Sequence, residues 1–350
     1  MDDRQTRKQL ASDNNAGICP STWRMISEAN HGHAAAYGDD YWTKQAVQRF
    51  QALFGVDCSV FFVFNGTAGN ALALASLCRP YEAVVCHRLA HIETDECSAP
   101  AFFGGGLRLL TGDGGGGKLT AEVVTEIVGR RDDVHFPAAR VLSLTQATEA
   151  GTVYSLDELQ QLTECARRHG LRVHMDGARL ANAVATLGCS VQEMTVDCGV
   201  DVLCFGGTKN GMAVGDAVVF FDRELAAGFA RRCKQAGQLA SKMRFLSAPW
   251  VGMLDDGSWL DNARQANRCA ARLEERLRAL TEVEILFPRQ ANTLFVRFHE
   301  GVTQALYDRG WRFYVFQETG GARLMCSWDC DLETVDRFAD DLRTILAERT

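Results

Sequence analysis

The chain has 350 residues, a formal charge of −7 and a pI near 5.7, which argues against nucleic acid or an anionic membrane as its main partner. Its length suffices to bury roughly 75% of the unfolded surface, as one large domain plus a smaller one. Thirteen cysteines, an odd number with no CxxC pair, sit in apolar runs such as VLCF and AVVCH, which fits buried thiols in a reducing cytoplasm better than a disulfide framework or a metal site.

The N-terminal MDDRQTRKQL lacks the apolar core of a signal peptide, and no run approaches a membrane span. Strand-like and helical runs then alternate, the pattern of an α/β class with a largely parallel sheet. SVFFVF (59–64) leads through Gly66 and Thr67 into an alanine-leucine helix. A strand ending there offers free amides, a hydroxyl and a positive helix end to an anion, although an ordinary tight turn has the same sequence. AVVCH (83–87) precedes His91, either a ring that stacks on a cofactor or a polar histidine at a helix start. After LRLLTG (107–112), residues 112–118 read GDGGGGK, the GxxxxGK of a P-loop, but Leu119 stands where the magnesium-binding hydroxyl belongs. Thr120 is better read as the cap of the helix AEVVTEIV.

His135, in DDVHFP, precedes RVLSLTQ (140–146) and is either a proton acceptor near neutral pH or a surface histidine. Ser155 and Glu158 form a capping box for the next helix. LRVHMDG (171–177), VDVLCFGG (200–207) and DAVVFFD (216–222) supply further strands, and two long helices follow over 223–246 and 257–280. The last stretch changes rhythm, with VEILFP, NTLFVRF, a short helix, FYVF, RLMCSW and a terminal helix. The expected division is a large domain over 1–250, with an N-terminal arm, and a small α/β domain over 251–350.

Asp176 and Lys209 carry the chemistry. Each follows a β-rich apolar run, so both belong near the carboxyl ends of strands, where open α/β sheets bind ligands. An acid there can keep a pyridinium nitrogen protonated, and a lysine can form a Schiff base with the aldehyde of pyridoxal 5'-phosphate. Only six lysines exist, at 8, 44, 118, 209, 234 and 242, so the search for that residue is short. Arg179, Arg323 and Ser12 are candidates to hold an amino-acid carboxylate, with one arginine from each domain clamping it.

The segments SDNNAGICP, GTAGNALAL, HIETDECSAP, GKLT, HFPAARVLSLTQATEAGTVYSLDEL, HMDGARLANA, FGGTKNG and GGARLMCSWD resemble, in this order, those of low-specificity L-threonine aldolases over about residues 11 to 340. The resemblance implies fold type I of the pyridoxal phosphate enzymes, the aspartate aminotransferase class: a large domain with a mostly parallel seven-stranded sheet and a smaller C-terminal α/β domain. It implies a cytoplasmic homotetramer built as a dimer of dimers. It implies retro-aldol cleavage of L-threonine, L-allo-threonine and other β-hydroxy-α-amino acids such as phenylserine, to glycine and an aldehyde. The alternative is β-elimination from another β-substituted amino acid. By the same resemblance Lys209 holds the cofactor, Asp176 contacts its ring nitrogen and His91 stacks on the ring. Gly66, Thr67 and Thr208 bind the phosphate, Ser12, Arg179 and Arg323 the substrate carboxylate. His135 approaches the substrate hydroxyl as base, and Lys234 reaches a neighbouring subunit's site. Gly69, where that family more often has alanine, and Asn65 depart from the pattern.

Overall fold

The protein is described here from a computed structural model over residues 9–316 and 320–348; most of the segment MDDRQTRKQL lies outside them. Seven strands form the main sheet: β1 (Ser59–Val63), β2 (Glu82–His87), β3 (Arg108–Gly112), β4 (Ala138–Thr145), β5 (Arg172–Gly177), β6 (Val202–Phe205) and β7 (Asp216–Phe220). Their order is β1-β7-β6-β5-β4-β2-β3. Only β7 runs against its neighbours, pairing antiparallel with both β1 and β6, while the other pairs are parallel.

The sheet is covered on both faces, which is why its central strands are apolar runs rather than alternating ones. Every residue of β6 and β7 is buried. One core contains Phe50, Phe62, Phe205 and Trp250, with the Phe50 and Trp250 rings 5.0 Å apart, edge to face. The other gathers Val63, Leu72, Leu74, Val218 and Phe220 around the helix Gly66–Leu77. No helix among the described residues is long and apolar enough to cross a membrane.

Local chemistry explains the helix ends. Ser155 Oγ accepts from Glu158 N at 3.1 Å while Glu158 Oε2 accepts from Ser155 N at 2.7 Å, the expected capping box. Thr120 caps the helix Ala121–Gly129 through Val123 N. The long helix expected over 223–246 does not form. The chain instead has a short helix Phe229–Gln235, turns, and a second helix from Arg244 to Asp255. Gly228 and Gly237, with φ of 82° and 72°, hold the left-handed turns that stop it. The next helix forms as Ser258–Arg278.

A second sheet is antiparallel, with β8 (Glu284–Ile285), β9 (Thr293–Arg297), β10 (Tyr314–Phe316) and β11 (Gly321–Met325) in the order β10-β11-β9-β8. Its core holds Leu273, Leu294, Trp311, Leu324 and Phe338. The step from one core to the other falls within Ser258–Arg278: Trp259 and Ala263 belong to the first and Leu273 and Leu277 to the second. Residue 250, the boundary suggested by sequence, lies inside Arg244–Asp255 with Trp250 deep in the first core. The N-terminal arm docks on the second sheet: Leu10 N donates to Arg312 O and Met325 N to Leu10 O, both at 2.8 Å. Leu10 is buried in that sheet's core, so the arm carries Ser12 and Asp13 to the carboxyl edge of the main sheet.

Candidate active site

A cavity of about 250 Å3 opens at the carboxyl ends of the parallel strands, and Gly66, Thr67, His91, Asp176, Thr208 and Lys209 all line it. Two loops bring the acid and the lysine together. Gly206 packs directly on the backbone of Ala178, where a Cβ would meet Ala178 O at 2.5 Å. The loops that follow β5 and β6 therefore touch, which no larger residue at 206 permits.

Asp176, buried at the end of β5, accepts from Asn70 Nδ2 at 2.9 Å and from Ala178 N at 3.0 Å. Asn70 also donates to Glu96 Oε1 at 2.8 Å, and Glu96 Oε1 lies 2.8 Å from His91 Nδ1. A buried polar chain thus runs from the acid to the imidazole. The hydrogen bond to Glu96 pushes His91 above its usual range, against burial, while burial itself pushes Glu96 up. Both shifts describe one proton shared by the pair, and the contact at 2.8 Å fixes the His91 ring. Sequence reasoning passed over Asn70 and Glu96. The one side-chain amide in an alanine-leucine-rich helix was the available signal.

The phosphate candidates are split. Gly66 and Thr67 begin the helix Gly66–Leu77, capped by Asn65 Oδ1 on Ala68 N at 2.9 Å; its first amides have no partner within the helix and point at the cavity end. Asn65 is therefore an ordinary N-cap. Thr208 is already engaged: its amide and that of Gly207 donate to Asp216 Oδ1 at 3.2 and 2.8 Å. Asp216 is buried in the same cavity wall, and burial pushes its carboxyl up. It is a second acid that the sequence did not reveal.

The carboxylate candidates also differ from one another. Arg179 is neutralised. Its Nε and Nη2 donate to Asp13 at 2.7 and 3.1 Å, both side chains being buried. Burial alone would raise Asp13, but the Arg179 guanidinium outweighs it and holds the carboxyl below its usual range. Asn292 Nδ2 adds a third donor to Asp13 at 3.2 Å. Arg323, on β11, has no carboxylate partner among the described residues: Nη2 donates to Ala11 O at 3.2 Å, the guanidinium lies 5.0 Å from the Phe316 ring centre, and Nε is buried without a partner. Burial and the like charge of Arg179 pull its pKa down, so it is the cation here that gains most from an anion. Ser12 Oγ accepts from Asn14 N at 3.1 Å and caps the turn Asp13–Asn15.

Two candidates lie elsewhere. His135 is exposed in the loop before β4, the opposite end of that strand from the cavity. Eight residues of strand put it roughly 25 Å from the site, so it is not the base within this protomer. The strand direction, which the motif by itself does not show, decides this. Lys234 is exposed on Phe229–Gln235 with its Nζ 4.9 Å from the Tyr37 ring centre, and it does not line the cavity of its own chain. The glycine run is no nucleotide loop: Lys118 pairs with Glu158 at 2.8 Å, and Gly116 O accepts from Thr148 and Thr152.

The donor set fits pyridoxal phosphate: a buried acid, a primary amine, an imidazole wall and a helix start surround one cavity. Comparison with known proteins places the chain in a family. A family model described as β-eliminating lyase matches residues 9–300. A low specificity L-threonine aldolase of Pseudomonas sp. (strain NCIMB 10558) is 54% identical over 340 residues, covering 97% of this chain and 98% of its own. That of Pseudomonas aeruginosa is 55% identical over 339 residues, with the same coverage of each chain. Among solved structures, a threonine aldolase of Leishmania major superposes with a TM-score of 0.91 at 25% identity, covering 97% of this chain and 99% of that one.

Proposed function

The chain belongs to the β-eliminating lyase family, among its low-specificity L-threonine aldolases, and on that premise we propose that it cleaves L-threonine and L-allo-threonine to glycine and acetaldehyde with pyridoxal phosphate as cofactor. When bound, the cofactor supplies a conjugated ring that accepts the electron pair of the breaking Cα–Cβ bond. Lys209 Nζ is the amine that holds it, and Asp176 keeps a proton on its ring nitrogen. Gly66 and Thr67 offer amides to its phosphate. Asp216 already accepts from the Thr208 amide at 3.2 Å and, more loosely, from its hydroxyl at 3.4 Å, so Thr208 contributes its hydroxyl only by turning it from Asp216 to the phosphate.

Arg323 fixes the substrate carboxylate, and the observation that carries the reading is its buried, unpartnered Nε, whereas the other arginine of the site, Arg179, is paired with Asp13. A guanidinium in that state binds a carboxylate with charge-assisted bonds. Arg179, tied to Asp13, frames the same carboxylate from the loop after β5, and Ser12 does so from the arm. His91, fixed by Glu96, excludes water from the cavity wall. A cytoplasmic homotetramer completes the reading. The exposed aromatics Trp23, Tyr37 and Tyr41 support a subunit interface, and Lys234 would serve a neighbour's site across it.

The test is aldehyde release from L-threonine and L-allo-threonine with added pyridoxal phosphate, with glycine quantified alongside. Equimolar glycine and acetaldehyde are expected. Ammonia and a keto acid in their place would overturn the aldolase in favour of elimination.

A further inference from the structure

Retro-aldol cleavage needs a group that takes the proton of the β-hydroxyl, and the exposed His135 at the far end of β4 does not reach it within its own protomer. Beside the cofactor cavity lies a second one, of about 180 Å3, whose wall includes Glu149, Arg323, Phe287, Phe295 and Phe316. Resting on the aldolase reading, we propose that Glu149 is the catalytic base for the substrate hydroxyl and that this cavity receives the β-substituent.

Elimination leads to Glu149. Among the acids near the site, Asp13 is held by Arg179, Glu96 by His91 and Asn70 on Oε1 with Oε2 buried, Asp176 by Asn70 and Ala178 N, and Asp216 by two amides and the Thr208 hydroxyl. Asp95 shares the second cavity but is exposed, with Thr94 Oγ1 on its carboxylate. Glu149 is half-buried, and no hydrogen bond occupies its carboxylate among the described residues. It lines the second cavity together with Arg323 and lies within electrostatic reach of His91, Arg179 and Arg323. The histidines offer no alternative. His91 is engaged by Glu96 through Nδ1 at 2.8 Å. His174 is fully buried between Ser143 and Cys204, and burial pulls it down to about 4. His87 accepts from Leu89 N and meets Gly114 O.

The loop that carries Glu149 is built to hold a position. Thr148 N donates to Thr152 O and Gly151 N to Thr148 O, both at 2.9 Å. Both threonine hydroxyls donate to Gly116 O, so the glycine run that mimics a P-loop buttresses this turn. From the other side Gln290 N and Ala291 N donate to Gly151 O. In the step, the β-hydroxyl O–H bond breaks and its proton passes to Glu149. The O–H electron pair becomes the second C–O bond of the aldehyde, and the Cα–Cβ pair stays on Cα, which takes up a proton to give glycine. No oxidant or reductant is involved. The three phenylalanines on the wall suit an apolar or aryl aldehyde.

Glu149→Gln keeps the size and removes the base. Two reactions of the holoenzyme separate its role: threonine cleavage, which needs the hydroxyl proton removed, and exchange of the glycine α-proton in D2O, followed by NMR, which does not. We expect the variant to lose roughly 10²–10⁴-fold in kcat for cleavage, with KM little changed and glycine exchange within about threefold of wild type. Cleavage within about threefold of wild type would overturn the proposal. So would a loss confined to KM, or a parallel loss of exchange, since either would make Glu149 a structural group. Wild-type protein that exchanges glycine but releases no aldehyde from either threonine would remove the aldolase reading itself, and this role with it.

Discussion

Replacing Asp13 by asparagine keeps the shape of the arm and deletes one charge, leaving the buried Arg179 guanidinium uncompensated beside Arg323. Removing one partner of a buried ion pair costs roughly 3–5 kcal/mol. Unfolding entropy of about 2.1 cal/mol/K per residue gives roughly 0.7 kcal/mol/K for a chain of this length, so Tm falls by about 4–7 °C. The pH dependence has a definite sign. Asp13 is held below its ordinary 3.8, so its contribution is fully present above that value and is lost as the pH falls through the depressed one. Calorimetry on wild type and Asp13→Asn should show the full gap at pH 7 and a closing gap only below about pH 3.8. Adding Arg179→Gln to the asparagine variant should recover part of the loss, because the uncompensated charge is then gone. A Tm within about 1 °C of wild type at pH 7 would refute the idea that this pair fastens the arm. So would a double variant less stable than the single one.

Arg323→Ala should raise KM for threonine roughly 10–100-fold, as expected for a lost charged hydrogen bond, while the cofactor's absorption band and its dissociation constant stay nearly unchanged. An unaltered KM would move the carboxylate anchor to Arg179. His135→Asn should change kcat/KM by less than about twofold; a loss of about tenfold or more would return that histidine to the site, through a neighbouring subunit. Gly69→Ala should raise Tm by about 1 °C, because a Cβ there meets Cys204 Sγ and Val218 Cγ2 at 3.4 Å and alanine gains roughly 0.4–1 kcal/mol over glycine. A lower Tm would show that this contact is already too tight.

The seven main strands were legible because each is a short apolar run bounded by turn residues, and Asp176 and Lys209 were legible because such runs end at them. The broken helix over 223–246 was misread for the converse reason. Arginine, alanine and leucine suit a helix, and the left-handed turns at Gly228 and Gly237 depend on tertiary packing. Partnerships across the chain were the least visible. Asp13 meets Arg179 only because the arm crosses to the main sheet, and Asn70 joins Asp176 to Glu96 across three separate elements. His135 shows the limit of a motif: its residue type suits a base, but strand polarity puts it at the wrong edge. Glu149, past the right end of that same strand, carries no local signal at all.

The arm joins the start of the chain to its end. Ala11 and Arg323, bonded through the guanidinium, are 312 residues apart, and the other buried members of the core around Leu10 all come from Cys269 onward. At 5–20 residues per second a ribosome takes roughly 15–60 s to cover that distance. The main sheet is complete only with β7, which ends at Phe220, so for roughly the last 5–20 s of that interval the nascent protein can carry its acid and its lysine on a finished sheet and still lack its carboxylate anchor; the site closes only once β11 has been made.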